Sequence, residues 1–182
     1  MAGAWCGGRT VQTSSYSQFD ALRDGSRVEI RAQRPDDRAE LLAAFGRLGE
    51  QSRYYRFFAA KRGLSESEIA YFMTVDFSNH VALVAVVETA GSRQIVGAGR
   101  YIVSGPGTAE MAFAVDDAHQ GLGIASALIR HLAAIARAAG LDALHAEVLA
   151  GNAPMLKVFE KSGLEMSTRR EEGAVHVALR LH

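Results

Sequence analysis

The chain has 182 residues, 48% of them hydrophobic and 22% charged, and its 20 basic and 20 acidic residues cancel. This balance is typical of one folded domain and excludes the strongly basic surface of many nucleic-acid-binding proteins. The longest apolar run, 81–87, is too short to cross a bilayer, and the first residues lack the pattern of a signal peptide. We therefore expect a cytoplasmic protein that binds neither nucleic acid nor membrane.

The single cysteine, Cys6, has neither a second thiol to pair with nor the clustered ligands of a zinc site around it. The histidines also lack the spacing of metal ligands. We therefore expect no metal and no cysteine chemistry.

The first third of the chain predicts a mixture of structures. Residues 1–25 are rich in Gly, Ser and Thr, which favours a loosely ordered arm or a short added element. Alternating apolar and charged residues over 27–31 predict a strand, and a helical pattern follows over 35–48. A short amphipathic helix is predicted around 53–58. The segment 65–68, Ser-Glu-Ser-Glu, is a capping box that predicts the start of another helix.

The remainder alternates between strand and helix patterns. Three successive strands joined by short turns predict an antiparallel meander over 80–88, 94–103 and 109–115. A helix, a strand, a second helix and a closing hairpin are then predicted over 124–139, 141–149, 152–162 and 164–181. The fold class is therefore mixed α+β, with a mostly antiparallel sheet of about seven strands flanked by helices, in one domain over 26–182.

The turn between the third meander strand and the next helix contains the residues that indicate chemistry. It reads Gln120-Gly-Leu-Gly-Ile-Ala-Ser126. The first amides of a helix have no intrahelical partner, and with the helix dipole they favour an anion such as a pyrophosphate. Glycine lets phosphate oxygens approach the backbone, and no lysine follows, which argues against a P-loop.

Two other interpretations of this turn stay open at this point. It can be a tight strand-to-helix turn without a ligand. It can also belong to a dinucleotide-binding fold, for which Ser126 is a rough third small residue and Glu147 a candidate ribose ligand. A meander before the turn, rather than repeated βαβ units, argues against the dinucleotide fold.

The segment Gln120-x-x-Gly123-x-Ala125 resembles the signature of the GNAT acetyltransferase superfamily, and the order of elements from Arg27 to Leu181 resembles that family too. The resemblance implies that the turn amides hold the pyrophosphate of acetyl-CoA and that residues 112–115 bond its pantetheine arm like an extra strand. It also implies that two central strands splay apart around the thioester.

The sequence further resembles the catalytic domain of the bacterial protein lysine acetyltransferases called Pat. The matching segments include Ala109–Val115, Gln120–Gly123, Arg56-Phe57-Phe58, Val75-Asp76-Phe77, Ala82–Val86 and Glu172-Gly173. Some Pat relatives carry a cyclic-nucleotide-binding or synthetase-like domain for which 182 residues leave no room, so we do not expect cyclic-nucleotide regulation.

These resemblances give a set of expected site residues. The residues expected to contact acetyl-CoA are Phe113, Ala114, Val115, Gln120, Gly121, Leu122, Gly123, Ile124, Ala125, Ser126, Asn152, Met155 and Phe159. Asn152 is also a candidate helix N-cap, and the two roles are compatible. The expected catalytic residue is Glu110.

Glu110 is the candidate general base because acyl transfer to an amine needs the amine neutral, and a lysine amine is mostly protonated at neutral pH. By strand alternation it shares a face with Ala112 and Ala114, which would leave room for a substrate, while Met111, Phe113 and Val115 take the other face. A solvated strand glutamate is the alternative.

The rest of the mechanism follows from which groups are present. A backbone N–H near Val115 is a candidate donor to the oxyanion, and direct transfer needs no nucleophilic cysteine. Many GNAT enzymes protonate the leaving thiolate with a tyrosine, but the matching residue here is Phe159, which has no proton to give. Either the thiolate leaves unprotonated, or water or another side chain helps. Packing against the coenzyme is the expected role of Phe159.

Three functions stay under consideration: a protein lysine acetyltransferase acting on substrates such as acyl-CoA synthetases, an acetyltransferase of small amines, and a non-catalytic acyl-CoA-binding module. The histidines are assigned no catalytic role. His119 is placed on the cofactor loop, His131 on the exposed side of its helix, and His145 is a weaker candidate for the cleft.

Overall fold

The computed structural model describes residues 13–182, so the prediction for Cys6 lies outside the described residues. Eight strands and five α-helices follow a short 3-10 turn at Thr13–Ser15. The strands are β1 (Ser17–Ala21), β2 (Arg27–Ala32), β3 (His80–Thr89), β4 (Ser92–Gly105), β5 (Thr108–Val115), β6 (Ala143–Leu149), β7 (Glu165–Glu171) and β8 (Ala174–Arg180). The helices are α1 (Arg38–Arg47), α2 (Glu50–Phe57), α3 (Glu66–Met73), α4 (Ile124–Ala138) and α5 (Ala153–Glu160).

All eight strands form one sheet in the order β1-β2-β3-β4-β5-β6-β8-β7. The meander β3-β4-β5 pairs antiparallel as the short turns predict, and the pairing of β5 with β6 is parallel because α4 crosses between them. The predicted mixed, mostly antiparallel sheet is confirmed.

The eighth strand is a difference from the sequence prediction of about seven. Within the segment assigned to an arm, residues 17–21 form β1, which pairs antiparallel with β2. The short added element that the composition allowed is therefore an edge strand. Its exposed, polar sequence, Ser-Gln-Phe-Asp-Ala, has little of the apolar alternation that identifies a strand.

Opposite faces of the sheet are covered by α4 and α1. On β3, Leu83, Ala85 and Val87 belong to the main core beneath α4, whereas Val84 and Val86 belong to a smaller cluster packed against α1. Because successive side chains on a strand point to opposite faces, a continuous apolar run predicts burial on both. The packing of α4 fixes where its N-terminus lies relative to β5.

The predicted capping box at the start of α3 is confirmed. The side chain of Ser65 accepts from the amide of Glu68 at 3.3 Å, and Glu68 accepts from the amide of Ser65 at 2.8 Å. No helix within residues 13–182 is long and apolar enough to cross a membrane.

Candidate active site

The centre of the sheet opens into a cleft where β5 and β6 separate. The two strands are paired only from Thr108 to Glu110 on β5, opposite Ala143 to His145 on β6. Beyond Glu110 the strands diverge, and a cavity of about 1080 Å³ lies between them. Among residues 13–182, the edge of β5 from 111 to 115 therefore has no strand partner on this side, which leaves backbone groups free to pair with an extended ligand.

The side chains of β5 alternate as the sequence predicts. Met111, Phe113 and Val115 are buried in the main core, whereas Glu110 is exposed at the cleft. Ala112 and Ala114 share the face of Glu110 and also line the cleft. Small side chains on this face leave open space in front of the carboxylate.

The backbone of Val115 faces the same gap. The next amide, Asp116 N, donates to Val96 O on β4 at 2.8 Å. Because successive peptide groups of a strand point in opposite directions, the Val115 N–H points away from β4 and towards the diverging strands.

At the wide end of the cleft, α4 begins over a turn that has the backbone conformation of an anion site. Gly121 and Gly123 have φ values of +80° and +99°, a left-handed region that favours glycine. The backbone bonds of the helix start with Ala127 N to Gly123 O at 3.0 Å. Within residues 13–182, no group accepts from the amides of residues 121–126. These amides are available to a phosphate.

The glycine turn before α4 is held in place by hydrogen bonds from neighbouring side chains. Gln120 Nε2 donates to Val115 O at 3.1 Å and lies 3.2 Å from Ser52 Oγ of α2. Asp116 accepts from Ala118 N at 3.0 Å and from Arg47 Nε at 2.8 Å. The amides are therefore preorganised before any ligand arrives, and in this arrangement the side chain of Gln120 supports the turn.

Arg23 is a site residue that sequence reasoning missed. Its amide donates to Leu122 O at 3.0 Å, and its guanidinium donates to Gly121 O at 3.1 Å. It is exposed and lines the cleft beside the glycine turn. Arg23 lies in the segment assigned to the arm, and no local pattern marks it, because β1 and the loop after it bring it there through tertiary pairing.

This geometry agrees with a comparison to known families. The family model "Acetyltransferase (GNAT) family" matches residues 41–164, which is more than half of the chain. The chain belongs to the GNAT acetyltransferase family. The resemblance inferred from the signature at Gln120 is thereby confirmed.

Two GNAT relatives match most of the chain. The GNAT domain of Pat from S. lividans, a solved structure, superposes with a TM-score of 0.82 at 36% identity, covering 90% of this chain and 96% of that one. The acetyltransferase PA5475 of Pseudomonas aeruginosa is 32% identical over 75% of this chain and 74% of its own length.

A third relative is longer than this chain. The acetyltransferase Pat of Mycolicibacterium smegmatis is 31% identical over 60% of this chain, and the match spans 33% of that protein. The predicted likeness to Pat is confirmed. Acetyl-CoA is the acyl donor that the GNAT fold uses, and the unpaired β5 edge, the free turn amides and the large cleft fit such a donor.

The GNAT cleft is closed on one side by α5. Asn152 is buried and caps this helix, since its Oδ1 accepts from Met155 N at 3.3 Å, and it also lines the cleft. Phe159 is only 1% exposed and its ring centroid lies 5.5 Å from that of Phe113. Phe159 therefore supports the cleft floor chiefly by packing under β5.

The prediction for His131 was wrong. It is buried, and its imidazole contacts the Tyr16 hydroxyl and, at 2.8 Å, Asp20 Oδ2. The helical pattern placed His131 on the solvent side because β1, which covers it, was not predicted. His145 does line the cleft, as proposed, and His119 lies on the turn side of it. Among residues 13–182 no group of three or more His, Cys, Asp or Glu is placed to hold a metal.

Proposed function

We propose that this chain transfers an acetyl group from acetyl-CoA to an amine by direct attack, with Glu110 as the general base and a protein lysine as the acceptor. The observation that carries the proposal is the position of Glu110. It is the last β5 residue paired with β6, it is exposed, and it faces the cleft where the strands diverge.

Acetyl-CoA supplies an activated thioester carbonyl to this reaction. The free amides of residues 121–126 would bind its pyrophosphate, and the unpaired β5 edge would align its extended arm. The protein thereby fixes the acceptor amine and the carbonyl in one geometry, which lowers the entropic part of the barrier.

In the acceptor step, the Glu110 carboxylate accepts a proton from the ammonium group directly or through one water, so that a neutral amine can attack. The Val115 N–H, which faces the gap, is the proposed donor to the oxyanion. The amine nitrogen forms the new C–N bond, the C–S bond breaks as the intermediate collapses, and CoA leaves as a thiolate. The proton that the nitrogen still has to lose reaches this thiolate through water. No cysteine lies in residues 13–182, so transfer proceeds without an acyl-cysteine intermediate in this part of the chain.

A protein lysine is the proposed acceptor because the chain is similar to Pat from two organisms and shares the segments by which its sequence resembles that family. The deciding experiment incubates the purified protein and labelled acetyl-CoA with acyl-CoA synthetases and with a panel of free amines. The proposal expects labelled lysines on a synthetase. Labelling of free amines alone would make the protein a small-molecule acetyltransferase, and labelling of neither would indicate a non-catalytic acyl-CoA-binding module.

A further inference from the structure

Two further arginines, Arg56 and Arg100, line the cleft. Arg100 lies on β4 and is 8% exposed, and Arg56 lies in the last turn of α2. Both guanidiniums lie near the ring of Phe72, at 4.6 Å for Arg100 and 5.9 Å for Arg56. The pKa of Arg100 is lowered first by burial and second by repulsion from the nearby charge of Arg56.

Neither arginine has an anionic partner in the part of the chain that the structure describes. Within residues 13–182 no Asp or Glu forms an ion pair with Arg56 or Arg100. Residues 1–12 contain no Asp or Glu either. The described hydrogen bonds of Arg100 all go to neutral groups: Phe72 O at 3.2 Å, Gln33 Oε1 at 3.3 Å and His80 Nε2 at 3.0 Å.

The surroundings keep these neighbours uncharged and make the two cations costly. Burial, followed by the charge of Arg100, lowers the pKa of His80, which favours a neutral imidazole. Burial lowers the pKa of Arg56 to about 10 and that of Arg100 to about 9, and both stay cationic at neutral pH. A buried charge is ordinarily compensated by a partner of opposite sign.

The other buried arginine, and one half-buried arginine, have carboxylate partners. Arg31, which is 6% exposed, binds Asp37 through two hydrogen bonds of 2.7 and 2.8 Å. Arg47 binds Asp116 at 2.8 Å. Within the described residues, the half-buried Arg53, which does not line the cleft, donates only to the backbone carbonyls of Gly46 and Arg62. Of the two arginines that are buried within residues 13–182, Arg31 thus has a carboxylate partner and Arg100, in the cleft wall, does not.

Arg100 is also close to the proposed base. It is paired with Ala112 across β4 and β5, and Glu110 is two residues before Ala112. Arg100 and Glu110 are thus diagonal neighbours on one face of the sheet, with β-carbons roughly 7–8 Å apart. A molecule whose amine reaches Glu110 would place its next few atoms beside the two arginines.

We propose that Arg56 and Arg100 form an anion subsite that binds a carboxylate carried by the acceptor close to its reacting amine. The proposal rests on the proposed function, because it assigns the acceptor class for the same cleft. The carboxylate belongs either to a small amino acid or to an acidic residue beside the target lysine. Two guanidiniums suit a carboxylate because each offers paired N–H donors.

The test uses acceptors that differ only in the carboxylate. Acetylation of 6-aminohexanoate is compared with that of 6-aminohexanamide, and acetylation of the peptide acetyl-Asp-Lys-amide with that of acetyl-Asn-Lys-amide. We expect the wild type to prefer the carboxylate member of at least one pair by about tenfold or more in kcat/KM. The pair that shows the preference identifies the source of the carboxylate.

Variants of Arg56 and Arg100 test whether these two arginines cause the preference for the carboxylate acceptor. Arg56→Gln and Arg100→Gln should remove the preference, measured as the ratio of the two kcat/KM values within a pair, whereas Arg100→Lys should retain part of it. Arg62→Gln, at an exposed position away from the cleft, is the control. Thermal unfolding of each variant shows that it is folded. Equal rates within both pairs, or a preference that survives in both Gln variants, would overturn the proposal.

A binding measurement separates this proposal from the proposed function. Calorimetry in the presence of CoA compares 6-acetamidohexanoate with 6-acetamidohexanamide. Selective binding of the carboxylate by a protein that acetylates no amine would retain the subsite and reject the enzymatic function. If the protein acetylates amines but shows no selectivity for the carboxylate in rate or in binding, the enzymatic function is retained and the anion subsite is rejected.

Discussion

Glu110 and His145 lie opposite each other at the last paired position of β5 and β6, and the cleft begins at this point. The two side chains line the cavity from different strands. A carboxylate there is placed by the backbone register of the sheet, so its position does not depend on a flexible loop. Rigid placement is what a general base requires, because proton transfer needs hydrogen-bond reach to the substrate.

The first prediction concerns this carboxylate. Glu110→Gln should lower kcat by roughly two orders of magnitude, because the amide cannot accept the proton, while the affinity for CoA stays unchanged. The matched control is Glu147→Gln, which alters a second exposed carboxylate in the same cleft. Steady-state kinetics and calorimetric titration with CoA check both. Wild-type turnover in Glu110→Gln, or an equal loss in the two variants, would show that the base is misassigned.

The second prediction concerns the glycine turn. Gly123→Ala adds a Cβ at a φ of +99°, about 3.8 Å from Arg23 Nε, so it strains the turn and displaces the free amides. We expect a stability loss of about 1–2 kcal/mol and a raised KM for acetyl-CoA.

Gly140→Ala is the control for this strain. Gly140 also has a positive φ, of +79°, but it lies at the far end of α4 with no atom near the added methyl group. Gly140→Ala should lose about as much stability as Gly123→Ala but keep the wild-type KM for acetyl-CoA. If the two variants have the same KM for acetyl-CoA, the turn does not bind the donor.

The third prediction concerns Arg23. Its guanidinium is exposed beside the turn, so replacing it removes a cation from the expected phosphate site. Arg23→Gln should raise the KM for acetyl-CoA roughly fivefold to tenfold with little change in kcat, and the effect should shrink at high salt. Arg27→Gln, on β2 and outside the cleft, should behave like the wild type. If Arg23→Gln lowered kcat and left the KM for acetyl-CoA unchanged, Arg23 would not be a phosphate-binding residue.

The fourth prediction concerns stability in acid. Burial alone would raise the pKa of Asp37, but hydrogen bonds from Arg31 and from the amide of Arg34 outweigh it and hold that pKa below 3.8. The native state therefore binds this proton more weakly than the unfolded chain does. The carboxylate stabilises the fold above pH 3.8, and this contribution is lost as the pH falls through the lowered pKa.

Asp37→Asn should accordingly destabilise the protein at pH 7 by about 3 kcal/mol, because it leaves Arg31 buried without its partner. The difference in unfolding free energy from the wild type should narrow below pH 3.8, as followed by denaturant unfolding from pH 7 to pH 2. Asp36→Asn, at the exposed neighbouring position, should change little. A gap between Asp37→Asn and the wild type that is independent of pH would contradict the lowered pKa.

Most of the strands and helices could be predicted because their patterns are local. Three examples are the apolar run of β3, the alternation of β5 and the capping box at Ser65. In each, a few neighbouring residues are enough to indicate the local structure. The turn at Gln120–Ser126 was also recognisable from its glycines, since positive φ values restrict the residue type.

The features that were missed depend on distant pairing. The strand β1 is polar and exposed, so nothing in its own sequence shows that it joins the sheet, and the burial of His131 could not be inferred without it. The place of Arg23 beside the glycine turn follows from the same pairing.

The sequence by itself determined the order of elements from β2 onwards, the glycine turn before α4 and the alternation that exposes Glu110, because residue periodicity and glycine content act over short distances. Only the tertiary structure decided that β5 and β6 part immediately after Glu110, and that Arg56 and Arg100 both line the cleft without an ion-pair partner among residues 13–182. The register between strands and the charge balance inside a cleft both depend on segments that are far apart in the chain. The sequence of one segment therefore predicts neither the register nor the charge balance.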